Sequence, residues 1–268
     1  MTQPKVLVLS GYGINCEEET LHAFEKQGAT GEIVHINDII DSSKKIEDYQ
    51  IMAFPGGFSY GDDTGAGNAL ANRIKNNLGD SIYKFAEQDK LIIGICNGFQ
   101  IMANIGLVPA TKKYGQVESA LMWNKTARFE CTWVNLRAVS QKSPWLKGIE
   151  KIQLPIAHGE GNFYVEPEIL KELEENDQIA FQYTTAEGSL ANGEYPTNPN
   201  GAIADIAGII DPSGRILGMM PHPERFNCIY NHPEWTQMKE LAKREGKTLD
   251  EAGAGDIMFK NAVEYFSK

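Results

Sequence analysis

What this sequence lacks narrows its chemistry before any motif is read. Four cysteines among 268 residues (Cys16, Cys96, Cys131 and Cys228) form no CxxC pair and no zinc-ligand spacing. That argues against a disulfide framework and against a metal site, so free thiols are expected. Lys and Arg number 25 against 36 Asp and Glu, with no long basic cluster, and a net charge of -11 gives no electrostatic footprint for a nucleic acid. The apolar runs are of strand length, well below the roughly 20 residues that cross a bilayer. A polar segment rather than a signal peptide follows Met1. The expectation is a cytoplasmic protein that binds neither nucleic acid nor membrane, and in that setting the sequon Asn124-Lys125-Thr126 has no meaning. No repeat or low-complexity linker divides the chain.

What is present reads first as alternation. KVLVLSGYG (5–13) runs apolar into glycines and leads into EEETLHAFEKQG, where Leu21 and Phe24 recur at helical spacing. Asn15 followed by Glu18 has the form of a capping box, and Gly28 stands where a helix C-terminal glycine would. GEIVHI and YQIMAFPGG (49–57) are a second and third strand. A helical region from about 66 to 87 follows, then the strand LIIGI and the helix NGFQIMANIG. Strands that are apolar throughout, alternating with helices, predict an open, mostly parallel sheet covered on both faces, with ligands at the carboxyl ends of its strands. FECTWVNLRAV, KIQLPIA, QIAFQYT, AIADIAGIID and RILGMMP are separated by turns with few helices between them, and predict partly antiparallel additions to the same sheet. The length and the 42% hydrophobic content suit one domain over 1–268, of which 227–268 is a helical C-terminal extension.

Gly94-Ile95-Cys96-Asn97-Gly98 has the spacing of a nucleophile elbow, in which glycines relieve the crowding where a strand turns sharply into a helix. The thiol is then presented at the top of the sheet beside a helix N-terminus, with the Asn97 N–H free to face a developing oxyanion. The alternative, a small apolar residue at a strand end, does not need the flanking glycines. Phe54-Pro55-Gly56-Gly57-Phe58 offers Gly57 as a second oxyanion donor. The glycine-rich run GGFSYGDDTGAG has no G-K-[ST] and no lysine, which weakens a phosphate-loop reading.

A nucleophilic cysteine needs a base, and the base needs an orienting partner. Pro221-His222-Pro223-Glu224 places an imidazole at the end of RILGMM. Pro223 keeps His222 extended, so Glu224, two residues on, lies on the same side and can fix the imidazole tautomer. His232-Pro233-Glu234 repeats the tripeptide, but Asn231 before it and Trp235, Met238 and Leu241 after it read as a helix start, which makes His232 structural. His22 and His35 read as packing or exposed residues. Cys16 precedes a helix as well, but with Glu17, Glu18 and Glu19 beside it and no elbow around it, it reads as a decoy.

GICNGFQ, PGGFSYGD, LPIAHGEGNFY (154–164) and GMMPHPER (218–225), in that order, resemble the class I glutamine amidotransferases that serve as glutaminase subunits of phosphoribosylformylglycinamidine synthases in purine biosynthesis. The resemblance runs from the first strand to about Arg225 and implies a flavodoxin-like fold. It also implies a triad of Cys96, His222 and Glu224, an oxyanion site at Gly57 and Asn97, and a glutamine pocket completed by Gln100, Arg128, Phe129, His158 and Gly159. It further implies no cofactor in this chain, ATP and magnesium on a large synthetase subunit, and a small accessory subunit in the complex. DTGAGNALANRI after PGGFSYGD departs from the Arg-Cys-Gly-rich continuation of many members, and the tail beyond 227 is longer than in compact ones. A gamma-glutamyl hydrolase or peptidase-like enzyme would use the same elbow and histidine. A regulatory module would be favoured only by an incomplete triad.

Overall fold

The computed structural model describes residues 3–267. Five strands form the parallel part of its sheet: β1 (Lys5–Ser10), β2 (Thr30–His35), β3 (Ile51–Phe54), β4 (Leu91–Ile95) and, from much later in the chain, β11 (Ile216–Met219). Two short strands, β5 (Ser119–Met122) and β8 (Asn162–Val165), pair in a separate two-stranded sheet. β6 (Glu130–Ala138), β7 (Lys151–His158), β9 (Ile179–Thr184) and β10 (Ile206–Ile210) extend the main sheet antiparallel. The nine-stranded order is β2-β1-β3-β4-β11-β10-β9-β6-β7. Every residue of β3, β4, β10 and β11 is buried, which requires cover on both faces of the sheet and explains the uninterrupted apolar runs.

The helices are α1 (Glu17–Lys26), α2 (Ile36–Ile40), α3 (Asn68–Glu87), α4 (Asn97–Asn104), α5 (Pro167–Glu175), α6 (Trp235–Arg244) and α7 (Asp256–Phe266). α1 packs with α7, while α2, α3 and α4 form a second group. The tail is therefore part of the core: Phe259 meets Phe24 edge-on at 4.9 Å, and Asn261 Nδ2 donates to the carbonyls of Trp145 and Lys147. Among the described residues no helix is long and apolar enough to cross a membrane.

Several local expectations are corrected. α1 begins at Glu17 with Cys16 as its N-cap and no side-chain capping bond, so Asn15 and Glu18 do not form the capping box. α6 begins at Trp235, with Glu234 rather than Asn231 at its cap. Asn231 Oδ1 instead accepts from Cys228 N, at the foot of a preceding 3-10 turn. The helix α5 and the strands β5 and β8 were not anticipated. α5 is amphipathic with only Leu173 buried, and the two strands are four residues each, too short for periodicity to show.

Candidate active site

Strand β4 ends at Ile95, and the chain reverses through Cys96 with φ 53° and ψ -108° before α4 begins at Asn97. Glycine makes the turn possible. A Cβ on Gly98 would lie 1.8 Å from the Phe54 carbonyl oxygen, and one on Gly94 would lie 2.3 Å from Met102 Sδ. The Cys96 N–H donates to Met219 O at 2.8 Å, tying the elbow to β11. β11 then delivers the base: His222 N donates to Pro155 O at 2.8 Å, and Nδ1 shares a 2.6 Å hydrogen bond with Glu224 Oε1.

The pairing of His222 with Glu224 was anticipated for the wrong reason. Pro223–Arg225 is a 3-10 turn, not an extended segment, and that turn folds the carboxylate back to the ring. His222 Nε2 is buried without a hydrogen-bond partner, and so is Glu224 Oε2. With Nδ1 committed to Glu224, Nε2 is the nitrogen left to exchange a proton. Burial penalises the imidazolium, but Glu224 and the thiols of Cys96 and Cys16 outweigh it and raise the His222 pKa well above its ordinary value.

The two oxyanion candidates follow the neighbouring parallel strands, Gly57 after β3 and Asn97 after β4. Gly57 has φ 153° and forms an isolated bridge with Ile14, closed by Phe58 N to Gly13 O and Asn15 N to Gly56 O. The Gly57 N–H takes no part in either bond. Asn97 is the first residue of α4, so its N–H lacks an intrahelical acceptor. Its side chain pins the loop above it, accepting from Ser59 N and donating to Asp62 Oδ1 at 3.2 Å each. Burial, with a contribution from neighbouring Glu160, raises the Asp62 pKa from 3.8 to about 6.

The remaining pocket residues divide. Gln100 is buried, donating to Glu160 O at 2.6 Å and accepting from Asn97 Nδ2 at 2.9 Å. His158 is buried beside His222, and burial followed by the charge of His222 lowers its pKa to about 3, which keeps it neutral. Its Nδ1 lies 3.2 Å from Asn124 Oδ1 and its Nε2 has no partner. Gly159 packs beneath Trp123 and Phe129, and Phe129 and Arg128 are exposed at the rim. His232 stands apart from this constellation: Nε2 bonds Gln153 Oε1 at 2.7 Å, Nδ1 accepts from Glu234 N, and the ring packs on Trp133 and Phe226.

Three features escaped the sequence reading. Asn124, noticed only as a sequon, is buried and ties its loop to the HGEG turn: Nδ2 donates to Arg128 O and His158 O, and Oδ1 accepts from Gly161 N. Arg225 Nη2 donates to Cys16 Sγ at 2.8 Å. Cys16 is no rival nucleophile, since burial pushes its thiol up, but it does sit at the site. It is fully buried, and its sulfur lies with His222 and Glu224 in a group whose ligand atoms are all within 4.8 Å of one another. The usable signal was position, because the loop after β1 lies at the same carboxyl edge of the parallel sheet as the elbow. These three donors are of types that can bind a soft divalent ion, but the Arg225 guanidinium already places a cation against the sulfur.

A family model described as CobB/CobQ-like glutamine amidotransferase domain matches residues 3–266. The chain is 56% identical over 268 residues to phosphoribosylformylglycinamidine synthase subunit PurQ of Methanococcus maripaludis strain S2, covering 99% of this chain and 98% of that protein. It is 45% identical to the subunit of the same name from Dehalococcoides mccartyi, again over 99% of this chain and 98% of the other. Among solved structures it is similar to a chain in the structure of PurLQS from Thermotoga maritima, with a TM-score of 0.71 and 28% identity, covering 98% of this chain and 99% of that one.

Proposed function

This chain belongs to the CobB/CobQ-like glutamine amidotransferase family, and within it to the PurQ-type subunits of phosphoribosylformylglycinamidine synthase; from that premise we propose how its residues release ammonia from glutamine. The observation that carries the reading is the elbow that presents the Cys96 thiol together with a buried imidazole, its Nε2 unpartnered and its Nδ1 held by Glu224 at 2.6 Å. Sγ of Cys96 gives its proton to His222 Nε2 and attacks the side-chain amide carbon of glutamine. The oxygen, now negative, is met by the N–H groups of Gly57 and Asn97. His222 passes the proton to the departing nitrogen, ammonia leaves, and a glutamyl thioester remains on Cys96. A water molecule, deprotonated by His222, attacks the thioester and frees glutamate.

Glu224 keeps the Nδ1 proton in place through both halves, so Nε2 alone cycles. Gln100, with Arg128, Phe129, His158 and Gly159, lines the substrate side. The ammonia passes to a synthetase subunit that converts formylglycinamide ribonucleotide to formylglycinamidine ribonucleotide, with ATP and magnesium held there and a small accessory subunit in the assembly. The net charge of -11 and the absence of a basic phosphate clamp support that division of labour, and a cytoplasmic setting suits it.

The test is to reconstitute Cys96→Ala with the synthetase partners. Glutamine hydrolysis and glutamine-dependent synthesis should fall by at least about 10³-fold, as for loss of a covalent nucleophile, while synthesis from added ammonium salt persists. His232→Ala, by contrast, should retain most activity. Full glutamine-dependent synthesis in Cys96→Ala would overturn the reading.

A further inference from the structure

The loop between β1 and α1 carries Asn15 and Cys16 into the catalytic end of the sheet, and nothing in the triad chemistry uses them. Cys16 is the N-cap of α1, yet its side chain makes no capping bond and is free to turn toward the site. Its Sγ donates to Asn15 Oδ1 at 3.4 Å, which directs the thiol proton outward. The sulfur lone pairs then face Arg225 Nη2 at 2.8 Å on one side and the His222 imidazole on the other. The backbone preserves this contact. Asn15 N and Cys16 N both donate to Gly56 O, and a Cβ on Gly56 would lie 2.8 Å from His222 Cε1 and 3.1 Å from Cys16 Sγ. Only glycine at 56 leaves the sulfur and the ring room to meet.

We propose that Cys16 is a positioning residue for the glutaminase reaction: its sulfur is an electron-rich neighbour packed beside the His222 imidazole that, together with Glu224, fixes the ring and favours the proton taken from Cys96. The proposal rests on the glutaminase reading above. Glu224, Cys96, Cys16 and His158 face the imidazole, with Arg225 behind the sulfur. Of these, Glu224, Cys96 and Cys16 favour the imidazolium, whereas His158 is neutral. Burial pushes the Cys16 thiol itself up, so it acts as a neutral, polarisable neighbour of the ring rather than as a rival nucleophile.

The test reads Cys96 directly and needs no glutamine. Alkylation by iodoacetamide, assigned to Cys96 by peptide mass, is followed against pH in the wild type, Cys16→Ala, Cys16→Ser and Asn15→Ala. A weaker proton hold on His222 leaves less of the thiolate–imidazolium pair. Near neutrality Cys16→Ala should therefore react about tenfold more slowly, the equivalent of one unit in the imidazole's proton affinity. Well above the ordinary thiol pKa of about 8.5 the two rates should converge, because Cys96 then ionises without the imidazole's help. Cys16→Ser restores most of the neutral rate, and Asn15→Ala, at an exposed position, shows a smaller loss with the same pH dependence.

Equal rates at neutral pH, or one constant reduction at every pH, would overturn the proposal, since a packing defect has no reason to vanish in alkali. A Cys16→Ala chain that fails to fold leaves the decision to Asn15→Ala, where an unchanged profile is fatal. Failure of the glutaminase reading shows elsewhere, as glutamine-dependent synthesis surviving in Cys96→Ala.

Discussion

At the scale of single residues, two buried histidines separated by their surroundings have opposite electrostatic fates. His222 meets Glu224 and two thiols and is driven toward the imidazolium. His158 is driven toward the neutral ring by its burial and then by the charge of His222. These shifts have opposite signs in stability. A raised histidine stabilises the fold below its unfolded pKa and loses that contribution as pH rises through its folded one. A depressed histidine is neutral in the fold while the unfolded chain gains a proton, so stability is lost as pH falls below the unfolded value. For His158 the window opens at about 6.5 and closes at about 3. Between about pH 7 and about pH 5 its share of the loss is about 2 kcal/mol. His158→Gln, which cannot titrate, should therefore show a shallower fall in unfolding free energy over that interval, measured by urea denaturation at both pH values. An identical fall in both proteins would contradict the assignment of His158 as a buried neutral ring.

At the scale of elements, the elbow depends on backbone contact more than on side chains. α4 lies so close to β3 that Gly98 touches the Phe54 carbonyl, and that closeness sets the direction in which Cys96 projects. Gly98→Ala must push the helix off the strand, and should cost about 3 kcal/mol or more with loss of glutaminase activity. Gly28, after α1, is a useful contrast. It has φ +94° and open space around it, so Gly28→Ala pays only the left-handed backbone penalty, about 1 kcal/mol, and leaves activity intact. Thermal melts of the two variants beside an activity assay measure the difference. Comparable destabilisation in both would show that the close approach of α4 to β3 is not what holds the elbow. Short elements were the ones the pattern missed: β5 and β8 are held by each other and by Asn124, a long-range partner that no local window contains.

At the scale of the whole molecule, the tail decides whether the chain is one domain or a core with an appendage. α7 lies against α1, and Met258, Phe259 and Ala262 are fully buried, while α6 has no buried residue. Deleting 246–268 removes Phe259 from its contact with Phe24 and unpairs the carbonyls that Asn261 satisfies. Losing one buried aromatic of this kind costs about 3–5 kcal/mol, a large part of a domain's stability. The truncated chain should be insoluble or unfolded by circular dichroism, whereas substitutions confined to the exposed face of α6 should leave the melt within about 0.5 kcal/mol of the wild type. A soluble, folded and active truncation would make the tail a dispensable extension.

By itself the sequence determined the alternation of buried strands and helices, the glycine-flanked thiol and the two candidate histidines, because each is written in a few consecutive residues: uninterrupted apolar runs, G-x-C-x-G, and the repeated His-Pro-Glu. The choice of His222 over His232 was also open to it, since the surrounding residues differ. Only the tertiary structure decided that Cys16, held by Arg225, lies beside the His222 imidazole, that Asn124 anchors the HGEG turn, and that the tail completes the core. Those contacts join residues brought together by strand order and helix packing, Arg225 and Cys16 across 209 positions of sequence and Phe24 and Phe259 across still more, and a contact of that span leaves no periodic or neighbouring signal for a local reading to find.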